Sequence, residues 1–384
     1  MPTFPPSARP PFRADQVGSL LRPPELRDAH ERALKGEFDQ ARLHALQDRY
    51  IIEAIRLQES VGLHAVTDGE LRRTSFSSDF IEKLDGAKSP GSIQVAGSAG
   101  GGWDRPVVSG QPFAPRAFVV TSKLRHSQPI EVESFEFVKA HTSRLAKQAM
   151  PSPTMLLRGG RDSVDRAAYP DLAEFHADIA KVYIEELRQL GAAGCDYVQL
   201  DDTNYAYLCD DKLRDVFRNW GYQPDAMPDL FAGLINRIIA GKPAGMTVGI
   251  HLCRGNSAGQ WAAQGGYEPV ADKLLNQLDV DGYFLEYDDA RSGGFEPLRF
   301  FPKGSKKRVV LGLVSTKSPL VESKDDLKRR IDEAAKFMPL ENLCLSPQCG
   351  FASTFKGNPI TPEVERCKLE RVVEVASEVW GSAK

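Results

Sequence analysis

The sequence predicts an α/β fold, a (β/α)8 TIM barrel with an inserted hairpin-plus-helix subdomain after strand two. Three observations carry this. Eight short β-prone runs are each followed by helical material, and such alternation implies parallel strands. Eight of them in 384 residues favour a closed barrel over an open doubly wound sheet. One connection, 72–150, is too long to join neighbouring elements without structure of its own. The whole chain, 1–384, is read as one barrel domain, with 72–150 as a lid-like subdomain within it.

The first strand is Ala14–Gly18, which ends in Gly18-Ser19 before Pro23 and Pro24 break the chain. A helix follows over Asp39–Ser60. It places Leu43, Leu46, Tyr50, Ile51, Ala54 and Leu57 on one face, at helical spacing. Strand two is His64–Glu70. The long connection carries the run Gly100-Gly101-Gly102, β-prone stretches at Arg116–Thr121 and Pro129–Val132, and a helix over Ser134–Ala146. Strand three is placed at Thr154–Leu157, behind Pro151 and Pro153. A helix over Leu172–Leu190 stops at Gly191. The remaining strands are Asp196–Asp201, Met246–Cys253, Gly282–Tyr287, Val309–Val314 and Asn342–Pro347. Helical patterns fill Asp229–Ile239, Val270–Leu278 and Lys324–Phe337, and a last helix spans Pro362–Trp380.

Composition excludes several classes. With 41% hydrophobic and 26% charged residues the chain is globular, not disordered. A net charge of -3 offers no basic field for a phosphate backbone, so no nucleic-acid partner is expected. No apolar run is long enough to span a membrane. Met1 to Pro11 is proline-rich and lacks the apolar core of a secretory signal. The expected location is the cytoplasm. Six cysteines are too few for a disulfide scaffold and are expected to stay reduced. The glycine run at 100–102 has no following Lys or Ser and is read as a turn rather than a phosphate loop.

In a barrel, chemistry belongs at the C-terminal ends of the strands. Strand five ends His251-Leu252-Cys253, strand six ends Leu285-Glu286-Tyr287, and strand eight runs into Gln348-Cys349-Gly350. Residues i and i+2 of a strand share a face, so the imidazole and thiol can converge. One nitrogen, two sulfurs and one carboxylate oxygen suit tetrahedral zinc, and two thiolates make magnesium or calcium poor candidates. Taken singly, His-x-Cys can be core packing, Glu286 an ion-pair partner and Cys349 a small buried hydrophobe. Their joint placement at three strand ends sets metal binding beside those readings.

The stretches Gly249-Ile250-His251-Leu252-Cys253-Arg254-Gly255-Asn256, Phe284-Leu285-Glu286-Tyr287-Asp288-Asp289 and Leu345-Ser346-Pro347-Gln348-Cys349-Gly350-Phe351 resemble the catalytic region of cobalamin-independent methionine synthases. The resemblance is to the short single-barrel branch, also called methionine synthase II or YxjG-like, and covers about residues 14–380. It implies one Zn2+ held by His251, Cys253, Glu286 and Cys349. It also implies an S-methyltransferase in which homocysteine binds as thiolate, attacks a methyl group and leaves as methionine. Two thiolates and a carboxylate around Zn2+ leave a net negative charge, which suits alkylation of sulfur better than activation of water. Barrel zinc hydrolases usually carry His-x-His after strand one, where this chain has Val17-Gly18-Ser19.

The same resemblance carries over to the amino-acid end of the substrate. Gly18-Ser19 matches a pair that contacts the carboxylate, Glu70 in Asp68-Gly69-Glu70 a residue that meets the ammonium, and Asp201 in Gln199-Leu200-Asp201-Asp202 a second such acid. Two structural alternatives stand beside these: Glu70 paired with Arg72 or Arg73, and Asp202 capping a helix. Arg254, Asp288, Asp289, Arg291, Gln348 and Ser353 neighbour the ligands and are candidates for supporting or substrate contacts.

The chain also departs from the family. The aromatic Trp that stacks on folate after strand three has no counterpart in Met155-Leu156-Leu157-Arg158-Gly159-Gly160. A methyl-folate is one donor; another methyl compound, or an accessory protein that presents the donor, is left open. A second function compatible with the motifs is zinc-dependent alkyl transfer to another thiol, as in epoxyalkane:coenzyme M transferase, with Arg72-Arg73 as the basic element. A third is a non-catalytic zinc-binding barrel.

Overall fold

The computed structural model describes residues 9–89, 107–108, 111–112, 115, 117–256 and 259–384. Eight strand segments line the interior in parallel. They are β1 (Ala65–Val66), β2 (Leu145–Ala146), β3 (Gln148–Pro151), β4 (Tyr197–Asp202), β5 (Thr247–Leu252), β6 (Gly282–Glu286), β7 (Arg308–Val314) and β8 (Leu343–Pro347). β3 to β8 form one six-stranded sheet in chain order, and β1 pairs with β2. Ala14 bridges Leu345 of β8 in parallel, which sets the first strand position beside the last. The fold is TIM-barrel-like.

The predicted first strand is only that bridge. Between it and β1, side chains replace the backbone ladder. Gln58, fully buried on the helix Gln40–Ser60, accepts from Thr67 N at 2.9 Å and donates to Thr67 O at 2.9 Å. Gln16 Nε2 donates to Gln58 Oε1 at 3.0 Å, and Thr67 Oγ1 donates to Gly18 O at 2.7 Å. The predicted face of this helix is the one that packs inward: Leu43, Ile51 and Ala54 are buried, and Leu46, Tyr50 and Leu57 pack against the core. Asp39 caps it by accepting from Arg42 N at 2.9 Å.

Strand three corrects the sequence expectation. It lies at 145–151, interrupted at Lys147, and not at Thr154–Leu157. That apolar run is a buried 3-10 helix, Pro153–Leu157, entered through Ser152, whose side chain accepts from Thr154 N. The connection after β1 therefore ends near 144. Its predicted helix is Val132–His141, shorter than expected at its C-terminal end because the chain turns extended at Thr142 to enter β2. Asp85–Lys88 and Val119–Arg125 form an antiparallel pair there, whereas Pro129–Val132 is no strand. The glycine run at 100–102 and Arg116 lie outside the described residues.

The last helix, Pro362–Trp380, has Pro362 in its first turn, Thr361 as N-cap and left-handed Gly381 at its end. Its Glu365 is buried and accepts from Leu21 N at 2.9 Å, which ties this helix to the loop after the first strand position. Burial pushes that carboxyl up to about 7 from 4.5, with the Leu21 bond opposing. Among the described residues no helix is long and apolar enough to cross a membrane.

Glu365 keeps its proton in the folded chain up to about pH 7 and in the unfolded chain only to about 4.5. Its contribution to stability is thus fully present below 4.5, is lost as pH rises towards 7, and is constant above. In urea unfolding, Glu365→Gln is expected to stabilise the protein at pH 8 by on the order of 2 kcal/mol. At pH 5 the gain should shrink to a small fraction of that.

Candidate metal centre

Parallel register brings the predicted ligands to one level. Asp201 of β4 sits opposite His251 of β5, and His251 sits opposite Phe284 of β6. Two residues further on, Glu286 is opposite Gly312 of β7. Gly312 is where the sheet makes room. A Cβ there would lie 2.7 Å from Gln348 Cα and 2.9 Å from Leu285 O. Its absence, with a register shift between Gly312 and Val314, lets the chain after β8 lean inward, held by Gln348 N donating to Val314 O at 2.9 Å. Cys349 thereby reaches Cys253.

The four donor groups, from His251, Cys253, Glu286 and Cys349, lie within 4.8 Å of one another. The two Sγ atoms are 3.7 Å apart. Two sulfurs on one tetrahedral zinc, each at about 2.3 Å, would be about 3.8 Å apart. His251, Glu286 and Cys349 are buried, and Cys253 is half-buried. Neither ring nitrogen of His251 has a hydrogen-bond partner. An unpaired buried polar atom costs roughly 1–3 kcal/mol, so the imidazole is a donor in want of an acceptor for its lone pair. The residues fit a zinc ion.

Glu286 is held by its neighbours. Its Oε1 accepts from Arg254 N at 2.9 Å and Asn256 Nδ2 at 2.7 Å, and its Oε2 from Arg291 Nη2 at 2.6 Å. Asn256 Nδ2 also lies 3.5 Å from Cys253 Sγ. The two sulfurs are in hydrogen-bond contact, and either could donate the thiol proton that lies between them. The contact with Cys349 first, and then His251, hold Cys253 well below the usual thiol range against the effect of burial. The same contact, with burial, pushes Cys349 well above it. A metal that binds both sulfurs releases that proton.

The carboxylates assigned to the substrate stand beside the ligands. Glu70 and Asp201 are both buried. Burial raises Glu70, with Arg73 opposing. Burial and then the charge of Glu70 push Asp201 up to about 7, while Gln199 Nε2 donates to Asp201 Oδ1 at 2.7 Å. Two acids in one desolvated space disfavour each other's charge until a cation enters. The alternative pairing is not the one seen: Arg72 pairs with Asp48 at 2.6 Å and Arg73 with Glu131 at 2.9 Å. Asp202, in contrast, accepts from Tyr205 N at 2.9 Å in the first turn of Asn204–Tyr207, as a helix-capping residue does. Ser19 abuts the Cys349 loop. Its O accepts from Phe351 N at 2.8 Å, and a Cβ on Gly350 would lie 1.9 Å from its Oγ.

The neighbouring candidates divide. Arg254 serves Glu286 through its backbone N–H, while its guanidinium turns to Gly265 O at 2.7 Å and lies over the Tyr267 ring. Asp288 pairs with Lys317 and with Arg291 at 3.4 Å. Gln348 Oε1 accepts from Thr316 N at 2.6 Å, and its buried Nε2 has no partner. Ser353 Oγ donates to Asn358 Oδ1 at 2.5 Å, and Asn358 Nδ2 to Gly350 O at 3.3 Å, so Ser353 acts on the Cys349 loop only through Asn358. Asn256, which touches two ligands, was not singled out from the sequence; its place three residues after Cys253 was the available signal. At 155–160, the stretch compared with the family's folate-stacking aromatic, Arg158 Nε donates to Asn204 Oδ1 at 2.8 Å.

Cys349→Ala is expected to abolish stoichiometric zinc in protein dialysed against micromolar zinc, as read by elemental analysis. Asn256→Ala should keep the metal but weaken it about 10- to 100-fold in chelator competition, the usual cost of losing a group that orients a ligand.

The family model described as cobalamin-independent synthase, catalytic domain, matches residues 12–378. The uncharacterised protein YxjH of Bacillus subtilis (strain 168) is 39% identical over an alignment 384 positions long that covers 96% of this chain and 95% of its own. A Listeria monocytogenes protein, provisionally described as a vitamin-B12 independent methionine synthase, superposes with a TM-score of 0.76 at 32% identity over 98% of this chain and 100% of that one. A B12-independent methionine synthase from Shewanella sp. W3-18-1, solved with selenomethionine, shares the fold with a TM-score of 0.71 at 21% identity, covering 96% and 97% of the two chains. The chain belongs to the family of the cobalamin-independent synthase catalytic domain.

Proposed function

We propose that this protein is a zinc-dependent S-methyltransferase that methylates homocysteine to methionine. His251, Cys253, Glu286 and Cys349 would hold the metal. The observation that carries the reading is a buried imidazole with no partner, grouped with two thiols and a carboxylate and set cross-strand to Asp201. The chemistry a bound zinc supplies is to let a coordinated thiol lose its proton near neutral pH while its sulfur stays nucleophilic.

The chain's own residues then account for the rest of the substrate. Glu70 and Asp201 receive the ammonium, whose charge relieves the repulsion between them. Ser19 and the backbone around Gly350 face the carboxylate. Asn256 and Arg291 keep Glu286 in place, and the half-buried Cys253 marks the side from which sulfur and donor approach. The thiol sulfur forms a bond to the methyl carbon as the bond from that carbon to the donor breaks. The donor leaves with the electron pair, and the thiol proton passes to solvent. A methyl-folate is the donor to try first. A sulfonate-bearing thiol fits less well, because two carboxylates face the site while Arg72 and Arg73 are held by Asp48 and Glu131.

X-ray absorption at the zinc edge tests this. The zinc-loaded protein should show two sulfur ligands, and a third on adding homocysteine but not on adding coenzyme M. Two sulfurs with either thiol would overturn the reading. Asp201→Asn should raise KM for homocysteine about 10- to 100-fold, the loss of one charge-assisted bond, with zinc content unchanged.

A further inference from the structure

We propose that Arg22 is a positioning residue that holds Glu70 aimed at the substrate ammonium; this rests on the function proposed above. Among the described residues, Glu70 is the non-glycine residue with a left-handed backbone, at φ 57°, and Gly69 before it has φ 65°. A non-glycine residue there costs on the order of 1–3 kcal/mol and persists only where its surroundings over-determine it. This turn is caged. Leu20 N donates to Gly69 O at 3.0 Å, and Asp68 Oδ1 accepts from Glu70 N at 2.8 Å. Arg22 Nη2 donates to both Glu70 O at 2.7 Å and Arg73 O at 2.9 Å.

The clamp is itself costly to keep. Arg22 is buried with its guanidinium over the Phe355 ring, 5.4 Å from the centroid, and its Nε and Nη1 have no partner. A buried cation with two unpaired donors is poor value for stability alone. Its two made bonds cap the carbonyls of Glu70 and Arg73, at the two ends of the turn that Glu70 opens, and its charge lies near the Glu70 and Asp68 carboxylates. Without it the turn is free to relax out of the left-handed region, which swings the Glu70 side chain away from its place beside Gly18, where a Cβ would lie 3.4 Å from Oε1. The role predicted is therefore in recognition of the ammonium, with no part in holding metal.

The test uses cobalt(II)-loaded full-length protein, whose sulfur-to-metal absorption reports thiol binding without turnover. Homocysteine is compared with 4-mercaptobutyrate, the same thiol acid without the amino group. Wild type should bind homocysteine the more tightly. Arg22→Met should bind cobalt normally and lose that preference by about tenfold or more, through weaker homocysteine binding alone. Adding Glu70→Gln to Arg22→Met should cost little further, since both act on one contact. Should Arg22→Met fail to fold, Arg22→Lys, which keeps charge but not the fork, is expected to lose part of the preference. An Arg22 variant that is folded and keeps the full preference overturns the inference while the functional reading stands. A wild type that binds both thiols equally, or neither, overturns that reading and the inference with it.

Discussion

Everything at this site depends on the register of a parallel sheet. In a parallel ladder, same-face side chains of neighbouring strands stand level, and a slip of one residue turns a whole strand's set to the other face. Asp201 opposite His251, His251 opposite Phe284, and Glu286 opposite Gly312 are consequences of that ladder. The ligands come from three strand ends far apart in sequence, so no local turn could gather them. Gly312 has the smallest side chain and the largest effect, because it lets the segment after β8 close over β6 and β7 and deliver Cys349.

The interior this register creates holds buried polar side chains, among them Asp15, Gln58, Lys147 and Gln199, and their bonds hold it where the ladder is thin. Lys147 lies fully buried in the strand-three break, donates to Asp15 Oδ1 at 3.0 Å and stacks over Tyr197 and Phe284. Tyr197 OH donates to the other Asp15 oxygen at 2.9 Å, and Gln199 Nε2 to Val17 O at 2.6 Å. These bonds do for the first strand position what a backbone ladder does elsewhere. They also set where Gly18 and Ser19 emerge at the mouth. A buried ion pair of this kind adds little net stability but punishes any arrangement that breaks it. That makes it a device for specificity of packing, in a region where the backbone alone would leave strand one poorly registered.

The same polarity explains what was legible in the sequence and what was not. The last helix was legible at about Pro362–Trp380, the bounds it has, and Thr361, Pro362 and Gly381 are the local groups that set them. The helix Gln40–Ser60 was read from its apolar face. Strand three was misplaced. Its real residues include Lys147, which pairs with Asp15 inside the barrel, and Gln148, which donates to Glu131 at 3.1 Å, and the apolar run behind them forms a buried 3-10 turn instead. Apolar periodicity identifies strands with an unbroken apolar set, and Lys147 and Gln148 interrupt this one between Ala146 and Met150. The four proposed ligands were legible because their residue types are rare together at strand ends, and the structure brings all four into one cluster. Asn256, and the clamp of Arg22 on the turn at Glu70, were not. Their roles lie in loop geometry, for which the place of Asn256 three residues after Cys253 was the one available signal and Arg22 had none.

The chemistry the site favours follows from its charge. Two sulfurs and a carboxylate around a divalent ion would over-neutralise it, and Glu70 with Asp201 would add negative charge alongside once a cation holds both ionised. Such surroundings repel hydroxide and any anionic nucleophile that arrives without a cation of its own. A zwitterionic thiol escapes this, because its ammonium can settle the two carboxylates while its sulfur meets the metal. On the proposed reading, the carboxylate pair therefore does more than recognise an amino acid. It makes the negative site open to a thiolate only when that thiolate brings its own positive charge. Selectivity for the amino-acid thiol and readiness of the sulfur then arise from one arrangement of charge, which the parallel register holds rigid.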